Sequence, residues 1–420
     1  MTRLSDRVLV LRQREFRFLF IGQAVSVFGD RMVAVALAFA VLEVGGSPSA
    51  VGLVLASGML ALAGSLLVGG VVADRTSRRV IMVTADLVRL TSQGMMAALL
   101  ISGSAEVWTL ALLAAITGAA TGFFNPASTG LLPAIVAPDH LQQANGLRAT
   151  AMSIGDILGP LAAGILVAAA SAGWAVAVDA LTFGISAIFL SRLRPSAGAE
   201  REATSFLSDL KEGWGVFRSR TWVWTLVACA AVGNMAWGAW SALGPVVADR
   251  DLGGAAAWGA VLAAMGVGAL GGSLVATQSK PRRPLVVFAL TGAVLSVPLA
   301  FLAAGAPVGL LAFGAVLSGG AMMLGNSVWE STLQRHIPDE SLSRVSAYDW
   351  FGSLAFSPLG LAIWGPIAAA IGLSASLWIA SAVLLGTLAL LAVPDIRRLP
   401  SAPIGAGDRP QRPLVSTGSF

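Results

Sequence analysis

Charge is scarce in this sequence. Asp, Glu, Lys and Arg make up 12% of its 420 residues, where a soluble domain carries about 25%. Lysine occurs only as Lys211 and Lys280, and neither follows a glycine as a Walker phosphate loop requires. That excludes an ATP-driven pump. The histidines, His140 and His336, fall between apolar runs, without HExxH spacing or a cysteine cluster beside them. No metal site, no cofactor and no enzyme follow from these residues. The one cysteine, Cys229, cannot close an internal disulfide, so no oxidising compartment is implied.

What the chain has is apolar surface: 56% of its residues are hydrophobic and its mean hydropathy is +0.79. Its 48 glycines fit the same reading, because small residues let transmembrane helices approach closely. Apolar stretches lie at roughly 16–42, 49–71, 80–101, 106–126, 146–169, 172–192, 221–247, 254–277, 285–304, 309–330, 347–370 and 373–393. Each suffices for a helix of about 20 residues to cross about 30 Å of hydrocarbon. The expected architecture is an all-α polytopic membrane protein with twelve transmembrane helices. The first span is too long for a signal-peptide core, so no cleavable leader is expected.

Net charge is +5 and the pI about 10.5. These values reflect topology rather than nucleic-acid binding. With both termini placed in the cytoplasm, all but Arg31, Arg89 and Arg250 of the 27 Lys and Arg residues fall on the cytoplasmic side. The chain also repeats. Asn125, Pro138-Asp139 and Gly159-Pro160 find echoes about 200 residues later in Asn326, Pro338-Asp339 and Ser357-Pro358. Two pseudo-symmetric six-helix bundles are therefore expected at 1–195 and 220–394. Between them, 196–219 reads as a cytoplasmic linker with an amphipathic helix, on the spacing of Phe206, Leu207, Leu210, Trp214 and Phe217. The Pro-, Gly- and Ser-rich 395–420 reads as a disordered cytoplasmic tail.

Two motifs sharpen the picture. Gly70-Val71-Val72-Ala73-Asp74-Arg75-Thr76-Ser77-Arg78-Arg79 closes span 2. Gly70 permits close packing there, and Asp74 can accept hydrogen bonds from a helix N-terminus. Span 5 carries Gly155-Asp156-Ile157-Leu158-Gly159-Pro160-Leu161-Ala162-Ala163-Gly164. Glycines four apart flatten one face, and Pro160 removes one backbone hydrogen bond. The first segment resembles the loop 2–3 signature of the major facilitator superfamily, with Ser77 where the family usually has Gly. The second resembles its antiporter signature, with Ala163 replacing one of a closing glycine pair. Gly122 to Ala127, Leu131-Leu132-Pro133, Leu141 to Asn145, Asp209 to Gly213, Gln334-Arg335, Pro338 to Glu340 and Arg344-Val345 look like the branch of siderophore and macrolide efflux permeases. The resemblance implies a conformational latch formed by Gly70, Asp74, Arg75, Arg78 and Arg79. Positive-inside topology alone would need neither Gly70 nor Asp74. Span 4 lacks the arginine that many drug/proton antiporters carry.

A charge at the centre of a membrane helix costs roughly 2.5–3.5 kcal/mol, so it needs a partner or a wet cavity. Neighbours Asp30 and Arg31 in span 1 point about 100° apart and cannot satisfy each other. Arg31 is expected to pair with Asp156, leaving Asp30 for a proton or substrate; a purely structural ion pair is equally open. Glu330 and Asp179 are further candidates, and Asp86 with Arg89 reads as a local helical pair. Gln23, Phe123, Asn125, Asn234, Trp237 and Asn326 are candidates to line a substrate cavity, since the family uses spans 1, 4, 7 and 10 in that way. The expectation is a secondary active transporter of the plasma membrane. It would export a small amphipathic molecule (drug, siderophore or secreted metabolite) by alternating access, with protons as counter-ion. A nutrient importer is the alternative, and a membrane-embedded enzyme a weaker one. The expected partners are the substrate, protons and lipid, with a monomer as the working unit.

Overall fold

The structure is a computed structural model that describes residues 10–194, 214–215, 217–279 and 281–400, with no strand among them. The first six spans are Arg14–Glu43, Pro48–Arg75, Arg78–Ile101, Val107–Ile135, Leu141–Ala169 and Ala172–Ser191. Span 7 is Thr221–Val247, continued by a π-turn at Ala248–Leu252, and span 8 is Ala255–Gln278. Span 9 is two helices, Pro284–Val294 and Ser296–Ala303, and span 10 is Val308–His336. Span 11 is again divided, Asp339–Leu354 and Ser357–Ile371, and span 12 is Leu373–Leu385 tightening into a 3₁₀ turn at Gly386–Ala392. Eleven of these stretches are long and apolar enough to cross a membrane. The twelfth is Arg78–Ile101, whose 24 residues reach about 36 Å at 1.5 Å each. Its hydropathy is lowered by Asp86, Arg89 and Gln93, all buried inside the bundle.

Local chemistry accounts for the breaks. Pro298 has no N–H, so the Val294 carbonyl loses its helical donor and the helix divides there. Ser318 Oγ of span 10 donates to that carbonyl at 3.2 Å. Span 11 divides just before Pro358, whose missing N–H deprives the Leu354 carbonyl of its helical donor, and Asn234 Nδ2 of span 7 donates to the Ser353 carbonyl beside the break at 2.8 Å. Spans 4 and 10 run beyond their expected ends at 126 and 330, to Ile135 and His336. Burial of Leu131 and Leu132 in one, and Leu333 in the other, holds these extra turns in place.

The helices pack as two bundles with matching internal contacts. In the first, span 2 lies on span 4, span 3 on spans 4 and 6, and span 1 on spans 5 and 6. In the second, span 8 lies on span 10, span 9 on spans 10 and 12, and span 7 on spans 11 and 12. The halves meet chiefly where span 5 crosses span 8 and span 2 crosses span 11. Of the expected linker helix, 195–213 and 216 lie outside the described residues; the rings of Trp214 and Phe217 meet that of Tyr348 at 5.3 and 5.6 Å, both tilted. The stretch read as a tail opens with a short helix, Pro394–Arg398, anchored by buried Ile396, and 401–420 lie outside the described residues.

The apolar core shows which side is closed. On the side away from loop 2–3, one buried cluster draws on both halves. It joins Val35, Phe39, Val51, Val54 and Ala163 to Trp240, Leu243, Val261 and Trp364. On the side of loop 2–3, called the basic side here, the buried apolar residues separate. Phe16, Met82 and Leu131 belong to one cluster, and Trp222, Leu285, Trp329 and Leu333 to another. The halves are thus sealed together at one end and apart at the other.

Candidate functional site

Within the second half, a cavity of about 350 Å³ lies among spans 7, 9, 10, 11 and 12, toward the basic side. Trp237, Phe288 and Trp329 supply aromatic walls, and Asn234, Thr291, Asn326 and Ser353 supply polar groups. Two carboxylates, Glu330 and Asp349, line it together with Cys229, and among the described residues no Lys or Arg does. Asp349 is held in place: Trp329 Nε1 donates to its Oδ2 at 2.9 Å and Ser353 Oγ donates to its Oδ1 at 3.4 Å. Trp237 stacks on Trp240 at 5.6 Å, and Trp240 meets Trp258 at 4.6 Å with its ring tilted by 45°. This aromatic column runs from the cavity into the sealed core. The sequence candidates Asn234, Trp237, Asn326 and Glu330 meet here; Asp349, Trp329 and Phe288 join them unforeseen.

The first half carries a different chemistry. Arg89 of span 3 is fully buried, with its guanidinium 4.2 Å from the Phe124 ring and 4.3 Å from the Phe183 ring. It bonds Asp86 one turn earlier, and its Nη1 lies 3.9 Å from Asp30 Oδ2. Asp179 of span 6 is fully buried beside Gln93 and Thr182. Gly29 makes that approach possible, since a Cβ there would fall 2.3 Å from both Asp179 Oδ1 and Thr182 Oγ1. Two carboxylates thus face one guanidinium directly, and Asp179 stands close enough to feel its charge. A buried ion without a counter-charge costs several kcal/mol. Asp86, Arg89 and Gln93 share a helix face by their spacing, a signal visible in the sequence; that the face turns inward toward Asp30 and Asp179 was not.

Arg31 Nε lies 2.6 Å from Asp156 Oδ1, joining span 1 to span 5, and both side chains are partly exposed, at 40% and 44%. The span 5 motif has two working faces. Gly155 and Gly159 lie against span 1, where a Cβ on Gly159 would fall 2.5 Å from Arg31 Cβ. Pro160 and Gly164 lie against span 8, and a Cβ on Gly164 would fall 2.5 Å from the Ala255 carbonyl oxygen. The motif therefore fixes Arg31 on one side and the seam between halves on the other.

In the loop 2–3 motif, Arg78 Nη1 donates to the Gly130 carbonyl at 2.5 Å and Arg79 to the Ser191 carbonyl, both within the first half. Arg75 is exposed, and the Asp74 side chain lies outside the described residues. The close packing expected of Gly70 belongs instead to Gly69. A Cβ on Gly70 would meet nothing within 4 Å, whereas one on Gly69 would fall 2.6 Å from the Gly122 carbonyl oxygen. Gln23 is buried and donates to Ser128 Oγ at 2.5 Å, which also accepts from Arg148 at 3.2 Å. Gln23, Phe123 and Asn125 do not line the cavity of the second half.

The model of the Major Facilitator Superfamily matches residues 19–356. Macrolide efflux protein A of Streptococcus pyogenes is 26% identical over 216 residues, 51% of this chain and 53% of that protein. The chain thus spans about half the length of that curated relative. The multidrug efflux pump Tap of Mycolicibacterium fortuitum is 27% identical over 395 residues, covering 88% of this chain and 93% of that one. Among solved structures, a variant of the nucleoside transporter NupG superposes with a TM-score of 0.78 at 14% identity, covering 90% of this chain and 99% of that one. A family match across most of the chain, twelve membrane-crossing helices and two matched bundles agree: the chain belongs to the Major Facilitator Superfamily of membrane transporters.

Proposed function

We propose that this protein exports a small amphipathic molecule across the plasma membrane by alternating access, coupled to inward proton movement. The observation that carries the proposal is the asymmetry of the core, fused away from loop 2–3 and divided beside it. With the basic side placed in the cytosol by its arginines, the cavity is reached from the cytosol, as loading of an exporter requires. The aromatic walls suit an apolar ring system, and a cationic group on the substrate would meet Glu330 and Asp349. The efflux proteins named above support the direction. Protons moving inward release about 2.3 kcal/mol per 100 mV of membrane potential, before any pH gradient is added.

Everted membrane vesicles test this reading. With an imposed proton gradient, vesicles containing the protein should accumulate fluorescent amphipathic cations, and a protonophore should abolish the accumulation. Uptake that survives the protonophore removes the coupling, and substrate loss from preloaded vesicles along the opposite direction makes the protein an importer.

A further inference from the structure

We propose that Asp30, Asp86, Asp179 and Arg89 form a proton-binding site in the first half, with Asp179 the residue that holds the proton. The inference rests on the proton-coupled reading above and assigns its ion to a place separate from the substrate cavity. Span 1 contributes Asp30, span 3 contributes Asp86, Arg89 and Gln93, and span 6 contributes Asp179, Thr182 and Ser186. Span 4 contributes only uncharged groups, among them the Phe124 ring over the guanidinium and Thr117 bonded to Ser92. The nearby Arg31 is already engaged with Asp156 of span 5.

Charge and hydrogen-bond accounting select a proton. If all three carboxylates are ionised, one guanidinium leaves the cluster with a net charge of −2. Asp86 takes the direct bond to Arg89, whereas Asp179 has only neutral neighbours within bonding reach. Asp86 Oδ2, Gln93 Oε1 and Asp179 Oδ2 are three buried acceptors without a partner, against two unpaired donors in the same cluster, Arg89 Nε and Ser186 Oγ. One O–H on Asp179 both lowers the net charge to −1 and supplies a donor among them. A metal ion does not serve, since among the described residues no three His, Cys, Asp or Glu side chains are placed to hold one.

Asp30 gives the site its exit. Its side chain is 39% exposed while Arg89 beside it is 2% exposed, so it bridges the buried cluster and the water between the halves. A proton arriving at Asp30 passes to Asp179. When the proton leaves by the same route, Asp179 is again a carboxylate and competes for Arg89. The guanidinium can then shift its bonding among spans 1, 3 and 6, which ties the packing of these helices to the proton.

Infrared difference spectroscopy of the full chain in lipid vesicles tests the assignment without knowledge of the substrate. The unaltered protein at neutral pH should show the C=O stretch of a protonated carboxyl, which Asp179→Asn removes and Asp349→Asn leaves in place. Should Asp179→Asn fail to fold, Gln93→Leu should shift the band by removing the neighbouring amide. A band indifferent to both changes overturns the proposal, as does its absence from the unaltered protein. In proteoliposomes, Asp179→Asn should lower gradient-driven accumulation about tenfold while leaving substrate counterflow intact. If the intact protein moves no protons with its substrate, the coupling reading fails, and the infrared band still decides whether Asp179 holds a proton.

Discussion

Asp349 and Glu330 share one cavity yet differ in what restrains them. Asp349 is fixed by the Trp329 N–H and the Ser353 hydroxyl, whereas Glu330 is exposed and lines the cavity without such a restraint among the described residues. Glu330→Gln should therefore weaken binding of cationic substrates about tenfold relative to neutral ones, by removing a charge–charge attraction worth about 1–2 kcal/mol. Equal loss for both classes, measured by tryptophan quenching, would falsify a charge-selective role. Arg31 and Asp156 are exposed enough that their pairing should contribute less than about 1 kcal/mol to stability. The expected result of a double-mutant cycle is accordingly a small change in melting temperature but strongly non-additive losses of transport for Arg31→Ala and Asp156→Ala. Additive losses would separate the two residues functionally. At this scale the sequence shows which charges are anomalous in a membrane. It does not show Arg89 between Phe124 and Phe183, because that sandwich joins spans 3, 4 and 6 whose relative rotation no local pattern encodes. Asp349 was hidden for a related reason. It lies in the polar first helix of span 11, whose place at the cavity depends on the break before Pro358.

Span 5 is the element on which most of the architecture converges. Its Gly159 accepts Arg31 and its Gly164 accepts the span 8 backbone, so one helix senses the span 1 ion pair and the seam between halves. Replacing Gly164 by Leu should exclude the sealed arrangement, since even a Cβ would fall 2.5 Å from the Ala255 oxygen. Overpacking of this kind typically costs about 1–3 kcal/mol. The population should move toward a state open on the side away from loop 2–3, read as increased solvent accessibility of cysteines introduced along that side of span 8. Unchanged accessibility would show that the seam has slack. The element boundaries were largely legible, because hydropathy alone marks where lipid replaces water. The breaks in spans 9 and 11 were not, since Pro298 and Pro358 can be tolerated in a continuous helix when neighbours satisfy the freed carbonyls.

The whole molecule is a pair of matched bundles joined by two crossings, span 5 on span 8 and span 2 on span 11. At the second crossing, a Cβ on Gly365 would fall 2.3 Å from the Ser49 Cα. Replacing Gly365 by Leu should therefore loosen this crossing, read as faster labelling, by a membrane-impermeant maleimide, of a cysteine introduced at Ser49. Labelling unchanged by the substitution would show that this crossing has room to spare.

Cys229 is the only thiol in the chain, and it stands in the wall of the second-half cavity. Nature has thereby left a reporter group where occupancy is to be measured. A maleimide added to the unaltered protein should react with one sulfur, and a bound cargo should slow that reaction in proportion to how much of the population it fills. Candidate compounds can be ranked by the protection they confer, before any vesicle is loaded and before the cargo has a name.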